Sequence, residues 1–357
     1  RKIKMEGKII NILVTGGAGF IGSNFILRSL DLLDCKVLNI DKLTYSGNLE
    51  NLNKIKNHDN YEFIQGDISD CNLFNKAMND FQPDILINFA AESHVDRSID
   101  SASDFINTNI LGTINLLDCC LDYYKANKTD NFKFIHISTD EVYGALGDEG
   151  AFNELSTYSP SSPYSASKAS SDHFVHSWYK TYGLPTIITN CSNNYGPFQF
   201  PEKLIPLMII NALNDMPLPI YGNGKNVRDW IHVQDHCDAI INIIENGKIG
   251  EKYNIGGDCE LENIQIVNKI CEILDTLKPR ENRESYSKLI KFVDDRPGHD
   301  YRYAVDFNKI TSSLGWSPQI NFEAGIKETI KWYIENSSWW ESIISNKYKL
   351  ERLGQTK

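Results

Sequence analysis

The segment ISTDEVYG, Ile137 to Gly144, sets a hydroxyl and two carboxyls side by side: Thr139, Asp140 and Glu141. It overlaps the end of the apolar run FKFIHI, so these groups are expected at the mouth of a core strand. Two adjacent acids there are costly unless one is held protonated. An acid that donates and a base that accepts, acting on neighbouring atoms of one substrate, is chemistry that suits such a pair. Downstream, YSASKAS places Tyr164 and Lys168 four residues apart, on one face of a helix. A phenol ordinarily ionises near pH 10. Lowering that by about three units corresponds to about 4 kcal/mol of differential stabilisation, part of which a neighbouring ammonium can supply. The plainer alternatives are a solvated, helix-capping loop for the acids and an exposed helical pair for Tyr164 and Lys168.

A glycine-rich turn precedes both motifs. In ILVTGGAGFIGSNFIL a strand runs into a helix, with Gly17, Gly19 and Gly22 in one spacing and Gly16, Gly19 and Gly22 in another. Glycines allow the tight turn and let a pyrophosphate approach backbone N–H groups at a helix N-terminus. The next strand ends at Asp41, where a carboxylate can accept both ribose hydroxyls and repel a 2′-phosphate, favouring NAD over NADP. Asp67, closing FIQGD, is expected near the adenine, with a turn or cap residue as its alternative.

These motifs need strands to carry them. IINILVTG, KVLNID, YEFIQGD, DILINFAA, FKFIHIS and PTIITNCS are short apolar runs separated by helical patterns such as FIGSNFILRSLDLLD and DFINTNILGTINLLDCCLDYYKA. Such runs predict a parallel sheet covered on both faces. The fold class is α/β: a doubly wound parallel-sheet Rossmann domain with a smaller, mostly C-terminal α/β substrate domain. Ligands belong at the carboxyl ends of its strands. The expected division is 9–191 plus about 233–260 for the NAD-binding domain, and 192–232 plus about 261–345 for the other. HVQDHCDAIINIIENG and EKYNIGG return the chain to the first domain.

The 357 residues carry a net charge of −11, which argues against nucleic-acid or anionic-membrane partners because neither finds a basic face. Local arginines can still bind a phosphate, and Arg228 and Arg296 are the best clamps, since guanidinium forks match phosphate oxygens. For Arg296 the alternative is pairing with Asp294 or Asp295. Eight cysteines without CxxC pairs read as reduced thiols of a cytoplasmic protein. No metal cluster, signal segment or membrane span is expected. The residues ahead of Met5 are read as foreign to the natural start.

Together TGGAGFIG, STDEVYG and YSASKAS resemble the extended branch of the short-chain dehydrogenase/reductase superfamily. NFAAESHVDRSI, SPSSPYSASKASSDH, NCSNNYGPFQFPEKLIPL, YGNGKNVRDW and DDRPGHDYRYAVD narrow the resemblance to the dTDP-glucose 4,6-dehydratase family, over residues about 10 to 340. The resemblance implies NAD-dependent oxidation at C4 of dTDP-glucose, loss of water across C5–C6 and hydride return to C6. It assigns Tyr164 as base for the C4 hydroxyl, held by Lys168, with Thr139 hydrogen-bonded to that hydroxyl, Glu141 as base at C5 and Asp140 as acid for the C6 hydroxyl. Asp140 must then have a raised pKa. Gly16, Gly19, Phe20, Ile21, Gly22, Asp41, Lys42, Asp67, Ile68, Ala90, Ala91, Tyr164 and Lys168 would hold NAD. Glu92, Ser93, His94, Thr139, Asn193, Glu202, Lys203, Leu204, Pro219, Tyr221, Arg228, Asn263, Arg296 and His299 would line the nucleotide-sugar site. A homodimer is implied, through ILGTINLLDCC and SKASSDHFVHSW. Within the resemblance, a UDP-glucose dehydratase is the nearest alternative, then a 4-epimerase or decarboxylase, which the Asp-Glu pair disfavours. A non-catalytic NAD-binding scaffold would have no use for Asp140, Glu141, Tyr164 and Lys168 together. One departure is His232 in RDWIH, where the family pattern has Tyr.

Overall fold

The computed structural model describes residues 8–127, 131–346 and 348. The start through residue 7, including Met5, and the tail at 347 and 349–357 lie outside the described residues.

Six strands alternate with helices along the first half: β1 (Ile10–Thr15), β2 (Cys35–Asp41), β3 (Tyr61–Gln65), β4 (Ile85–Asn88), β5 (Lys133–Thr139) and β6 (Thr186–Cys191). Three short strands follow, β7 (Asn193–Tyr195), β8 (Leu218–Tyr221) and β9 (Val227–His232), before β10 (Lys252–Ile255). The chain then forms β11 (Glu260–Glu262) and β12 (Ile290–Val293). Seven strands form one sheet in the order β10-β6-β5-β4-β1-β2-β3, and every pairing within it is parallel. The order reverses between β1 and β4, and this switch point opens a crevice at the strand carboxyl ends.

Alternation along each strand divides the core into two layers. Ile12 and Val14 of β1, with Val37 and Ile87, face Phe25 and Ile26 of the helix Phe20–Leu32 and Ile240 and Ile244 of the helix Val233–Asn246. Leu13, Leu38 and Leu86 face the opposite way, toward Phe74, Leu116, Leu117 and Val175. These strands are apolar throughout because both faces are covered. A separate core gathers Met208, Ile220, Trp230, Ile266, Ile270, Ile330 and Tyr333 around the helices Leu204–Leu213, Asn263–Leu277 and Phe322–Glu335.

The helix expected over 104–126 is interrupted: residues Ile106–Gly112 are π-helical, and regular helix resumes at Thr113–Asn127. The wider turn lets Asn109 reach back to the segment after β4. Its side chain accepts from the Glu92 N–H and donates to the Glu92 carbonyl, both at 2.9 Å, and also donates to Ser167 Oγ at 2.8 Å. Such wide turns recur at functional sites; this one fixes the Glu92 backbone at the crevice.

Candidate active site

Thr139 ends β5 and caps a single 3-10 turn, Asp140–Tyr143. Its hydroxyl accepts from the Glu141 N–H and donates to Asp140 Oδ1, both at 3.3 Å. The turn closes at Gly144, where φ is +89° and a Cβ would collide with the Ser159 carbonyl. Only glycine meets both demands. Asp140 is therefore forced inward. It is 1% exposed, and its Oδ2 has no hydrogen-bond partner. Burial, reinforced by Glu141 and Asp229, pushes its carboxyl well above the usual range, which favours the protonated form. Glu141 is half-buried. Burial raises its pKa too, while Arg296, Arg228 and Lys203 pull the other way. Asp140 thus feels one cation, Arg228, against two neighbouring acids, while Glu141 feels three cations, an asymmetry that suits a proton donor beside a proton acceptor.

Tyr164 and Lys168 stand one turn apart on the helix Pro163–Tyr182, which begins with Pro163 and a capping box between Ser162 and Ser165. Both side chains are buried and line the crevice. The Lys168 ammonium donates to the Ile137 carbonyl at 2.8 Å. Burial lowers its pKa to about 8. Burial and the nearby Glu141 drive the Tyr164 phenol upward, and Thr139 acts in the opposite sense.

The crevice on the β1 side is lined by Gly16, Gly19, Phe20, Ile21, Gly22, Asp41, Lys42, Asp67, Ile68, Ala90 and Ala91 together with Tyr164 and Lys168. Gly16 has φ +71°, and a Cβ there would stand 2.6 Å from the Ala90 N. Gly17 does not line the cavity; it packs on Asn39, whose Oδ1 accepts its N–H at 3.1 Å. Of the two glycine spacings, 16-19-22 is the one that faces a ligand. Asp41 accepts from the Ala18 N–H at 2.9 Å and the Leu43 N–H at 2.8 Å. These bonds orient its carboxylate at the cavity wall. Asp67 combines both of its readings: it lines the cavity, pairs with Lys42 at 2.7 Å and accepts the turn N–H of Ser69 at 2.9 Å. The glycine cradle and the strand-end carboxylate fit a dinucleotide.

A second cavity adjoins the first, sharing Ser93, Glu141, Asn193, Glu202 and Lys203 with it. It adds His94, Leu204, Pro219, Tyr221, Arg228, Asn263, Arg296 and His299. Glu92 lies on the first cavity, with its pKa raised by burial and Asp104. The buried Oδ1 atoms of Asn193 and Asn263 have no partner, and buried polar atoms normally find one. They mark the wall of a polar ligand. Arg296 pairs with Asp96 rather than with Asp294 or Asp295 through its side chain. Asp96 also accepts from Tyr221 at 2.9 Å. Arg228 lies over the Tyr303 ring at 4.3 Å and donates to the Asp300 carbonyl at 3.0 Å. Lys203 donates to the Ser93 carbonyl at 2.8 Å, and Glu202 accepts from Tyr45 at 2.8 Å and Arg97 at 3.0 Å. His232 caps the helix that follows β9.

The family model described as GDP-mannose 4,6 dehydratase matches residues 13–329. A probable dTDP-glucose 4,6-dehydratase of Sinorhizobium fredii is 55% identical over 97% of this chain and 99% of its own length. The chain belongs to the dTDP-glucose 4,6-dehydratase family. Among solved structures, the dTDP-glucose 4,6-dehydratase DesIV of Streptomyces venezuelae, with NAD bound, superposes with a TM-score of 0.86 at 43% identity, covering 94% of this chain and 100% of that one. The dTDP-glucose 4,6-dehydratase of Bacillus anthracis, in complex with NAD, gives 0.83 at 46% identity, covering 94% and 99%.

Among the cavity residues that escaped the sequence reading, three stand out. Asp96 and Tyr303 fall inside stretches that carry the family resemblance, and each could have been found by asking what holds an arginine in place. Tyr348 lines the second cavity from the tail and packs on Phe200 with ring centroids 5.9 Å apart. No motif announced it.

Proposed function

We propose that the protein converts dTDP-glucose to dTDP-4-keto-6-deoxyglucose with NAD as resident oxidant. The observation that carries this reading is the adjacent pair of buried Asp140 and half-buried Glu141, with Glu141 on the wall shared by both cavities and Tyr164 lining the first. NAD, when bound, would take the C4 hydride and later return it to C6. Tyr164 removes the C4 hydroxyl proton, under the field of the Lys168 ammonium, while Thr139 hydrogen-bonds that hydroxyl. The resulting 4-ketone acidifies C5–H, and Glu141, kept ionisable by Arg296, Arg228 and Lys203, accepts that proton. Asp140, kept protonated by burial, gives its proton to the departing C6 hydroxyl. Each positioned group contributes about 10²- to 10⁴-fold in rate. Arg228, Arg296, Lys203 and Asn193 hold the diphosphate side of the substrate. Leu204, Pro219, Tyr221 and Asn263 face its nucleoside.

The division into an NAD-binding and a nucleotide-sugar-binding domain, with the limits given above, is part of this reading; the two cores support it except over 307–316, where Phe307, Ile310, Leu314 and Trp316 pack in the first core. A homodimer through the helical faces of 110–120 and 167–178 is supported by exposed apolar groups there, Leu111 and Phe174. Cytoplasmic residence is supported by eight cysteines that are all free thiols; no described helix is long and apolar enough to cross a membrane.

Purified protein incubated separately with dTDP-glucose and UDP-glucose tests the proposal. A 4-keto-6-deoxy product, chromogenic in strong alkali, is expected from dTDP-glucose. Faster turnover of UDP-glucose would reassign the base, and no product from either sugar despite bound NAD would overturn the reading.

A further inference from the structure

The helix that presents Tyr164 and Lys168 carries a third ionisable group one turn further on, Asp172, which the proposed reaction does not use. The three are spaced four and four apart, so they form one stripe on the inward face of the helix. Asp172 is 2% exposed. Its Oδ2 accepts from the Tyr158 hydroxyl at 2.8 Å and from Asn190 Nδ2 at 3.1 Å. Its Oδ1 has no hydrogen-bond donor and stands 3.5 Å from His136 Nε2. A carboxylate buried this completely, with half of its acceptor capacity unmet, is destabilising on its own account. An interior charge of this kind persists where another charge depends on it.

We propose that Asp172 is a positioning residue for the reaction: the buried counter-ion that keeps Lys168 an ammonium beneath Tyr164. This rests on the assignment of Tyr164 and Lys168 made above. The surroundings of Lys168 leave Asp172 in that role. From β5, His136 approaches its ammonium to 3.5 Å, but the imidazole is fully buried and held neutral by desolvation and by Lys168 itself. From β6, Cys191 is held as a neutral thiol, its pKa raised by burial to about 12. On its own helix Tyr164 is a neutral phenol until it reacts. Burial works against both charges, lowering the pKa of Lys168 and raising that of Asp172; against it, Asp172 is the foremost group holding the charge on Lys168, and Lys168 the foremost holding that on Asp172. Around Asp172 itself stand Tyr158, neutral because burial and Asp172 raise its phenol, and Tyr143, raised by burial and by Asp172. Lys252 of β10 lies 3.3 Å from the Tyr158 hydroxyl and 4.4 Å above its ring. Lys168 and Asp172 thus each approach His136 Nε2 to 3.5 Å, among neutral rings, with the Lys252 cation separated from Asp172 by Tyr158.

The test titrates Lys168 directly. In lysine-labelled protein without substrate, the ε-carbon NMR signal absent from Lys168→Arg reports the ammonium. Asp172→Asn keeps the shape and the Tyr158 and Asn190 bonds but removes the charge. It should lower the Lys168 midpoint by about one pH unit or more. Tyr158→Phe, which removes one bond to the carboxylate, should lower it by less. The alkaline limb of the dTDP-glucose oxidation rate, where Lys168 loses its proton, should move down in pH in the same order, and Asp172→Glu should restore it. An unchanged Lys168 midpoint in Asp172→Asn overturns the proposal. So does a rate that falls equally at every pH, since that is the mark of a packing defect. The NMR measurement needs no substrate, so an error in the assigned sugar nucleotide leaves this test standing.

Discussion

The two halves of the crevice are built differently. On the β1 side the ligand meets backbone: a glycine cradle whose Gly16 has φ +71°, and an Asp41 fixed by two N–H groups. On the far side it meets side chains already engaged with one another, Arg296 with Asp96, His299 with Asp295, and Glu202 with Arg97 and Tyr45. A backbone cradle is rigid and complete before its ligand arrives, which suits a cofactor that stays. Paired side chains hold charge in reserve, which suits a substrate that leaves.

Between the halves stand the acids, and changing them should have the largest effect. Asp140→Asn cannot donate and Glu141→Gln cannot accept. Each should slow elimination by about 10²- to 10⁴-fold while largely sparing C4 oxidation. Reduced nicotinamide should then build up in single-turnover absorbance, and normal elimination in both variants would remove the acid and base assignment. The backbone side breaks next. Gly16→Ala adds a Cβ against Ala90 at a positive φ, so it should lower stability by about 1–3 kcal/mol and release NAD during purification. Arg296→Lys sharpens the contrast: it keeps the charge but loses the planar fork. KM for the sugar nucleotide should rise about tenfold, roughly 1.4 kcal/mol, with NAD retained. Loss of NAD in this variant would dissolve the distinction between the halves.

A separate effect, outside the reaction itself, is on stability in acid. Burial lowers both His94 and His299 from 6.5 to about 4. Below 6.5 the unfolded chain binds protons that the folded chain refuses until about pH 4, so stability must fall as pH drops through that window. The limiting slope is about 1.4 kcal/mol per pH unit for each histidine, observable as a falling thermal midpoint between pH 6.5 and 5. His299→Gln should flatten the fall; a fall equal to that of the parent protein would place the acid sensitivity elsewhere.

Much of the first half was legible because its signals are local. Apolar runs separated by helical periods predict a doubly wound sheet, and the strands formed where those runs lie. The turn 16–22 and the pair Tyr164 and Lys168 needed only short-range spacing. The π-helical stretch 106–112 was not legible, since its cause is Asn109 reaching a backbone segment 17 residues away. Tyr348 had no motif at all.

The sequence by itself determined the order of strands and helices, the residue types at each strand end and the family to which they belong. Only the tertiary structure decided that Arg296 meets Asp96 across 200 residues of chain, that Gly17 packs while Gly16 faces the cavity, and that Asp172 lies sealed beneath Lys168. The physical reason is range. Periodicity and turn chemistry act over about ten residues and can be read along the chain. Desolvation and ion pairing depend on what the folded chain brings together, and those contacts set which acid keeps its proton.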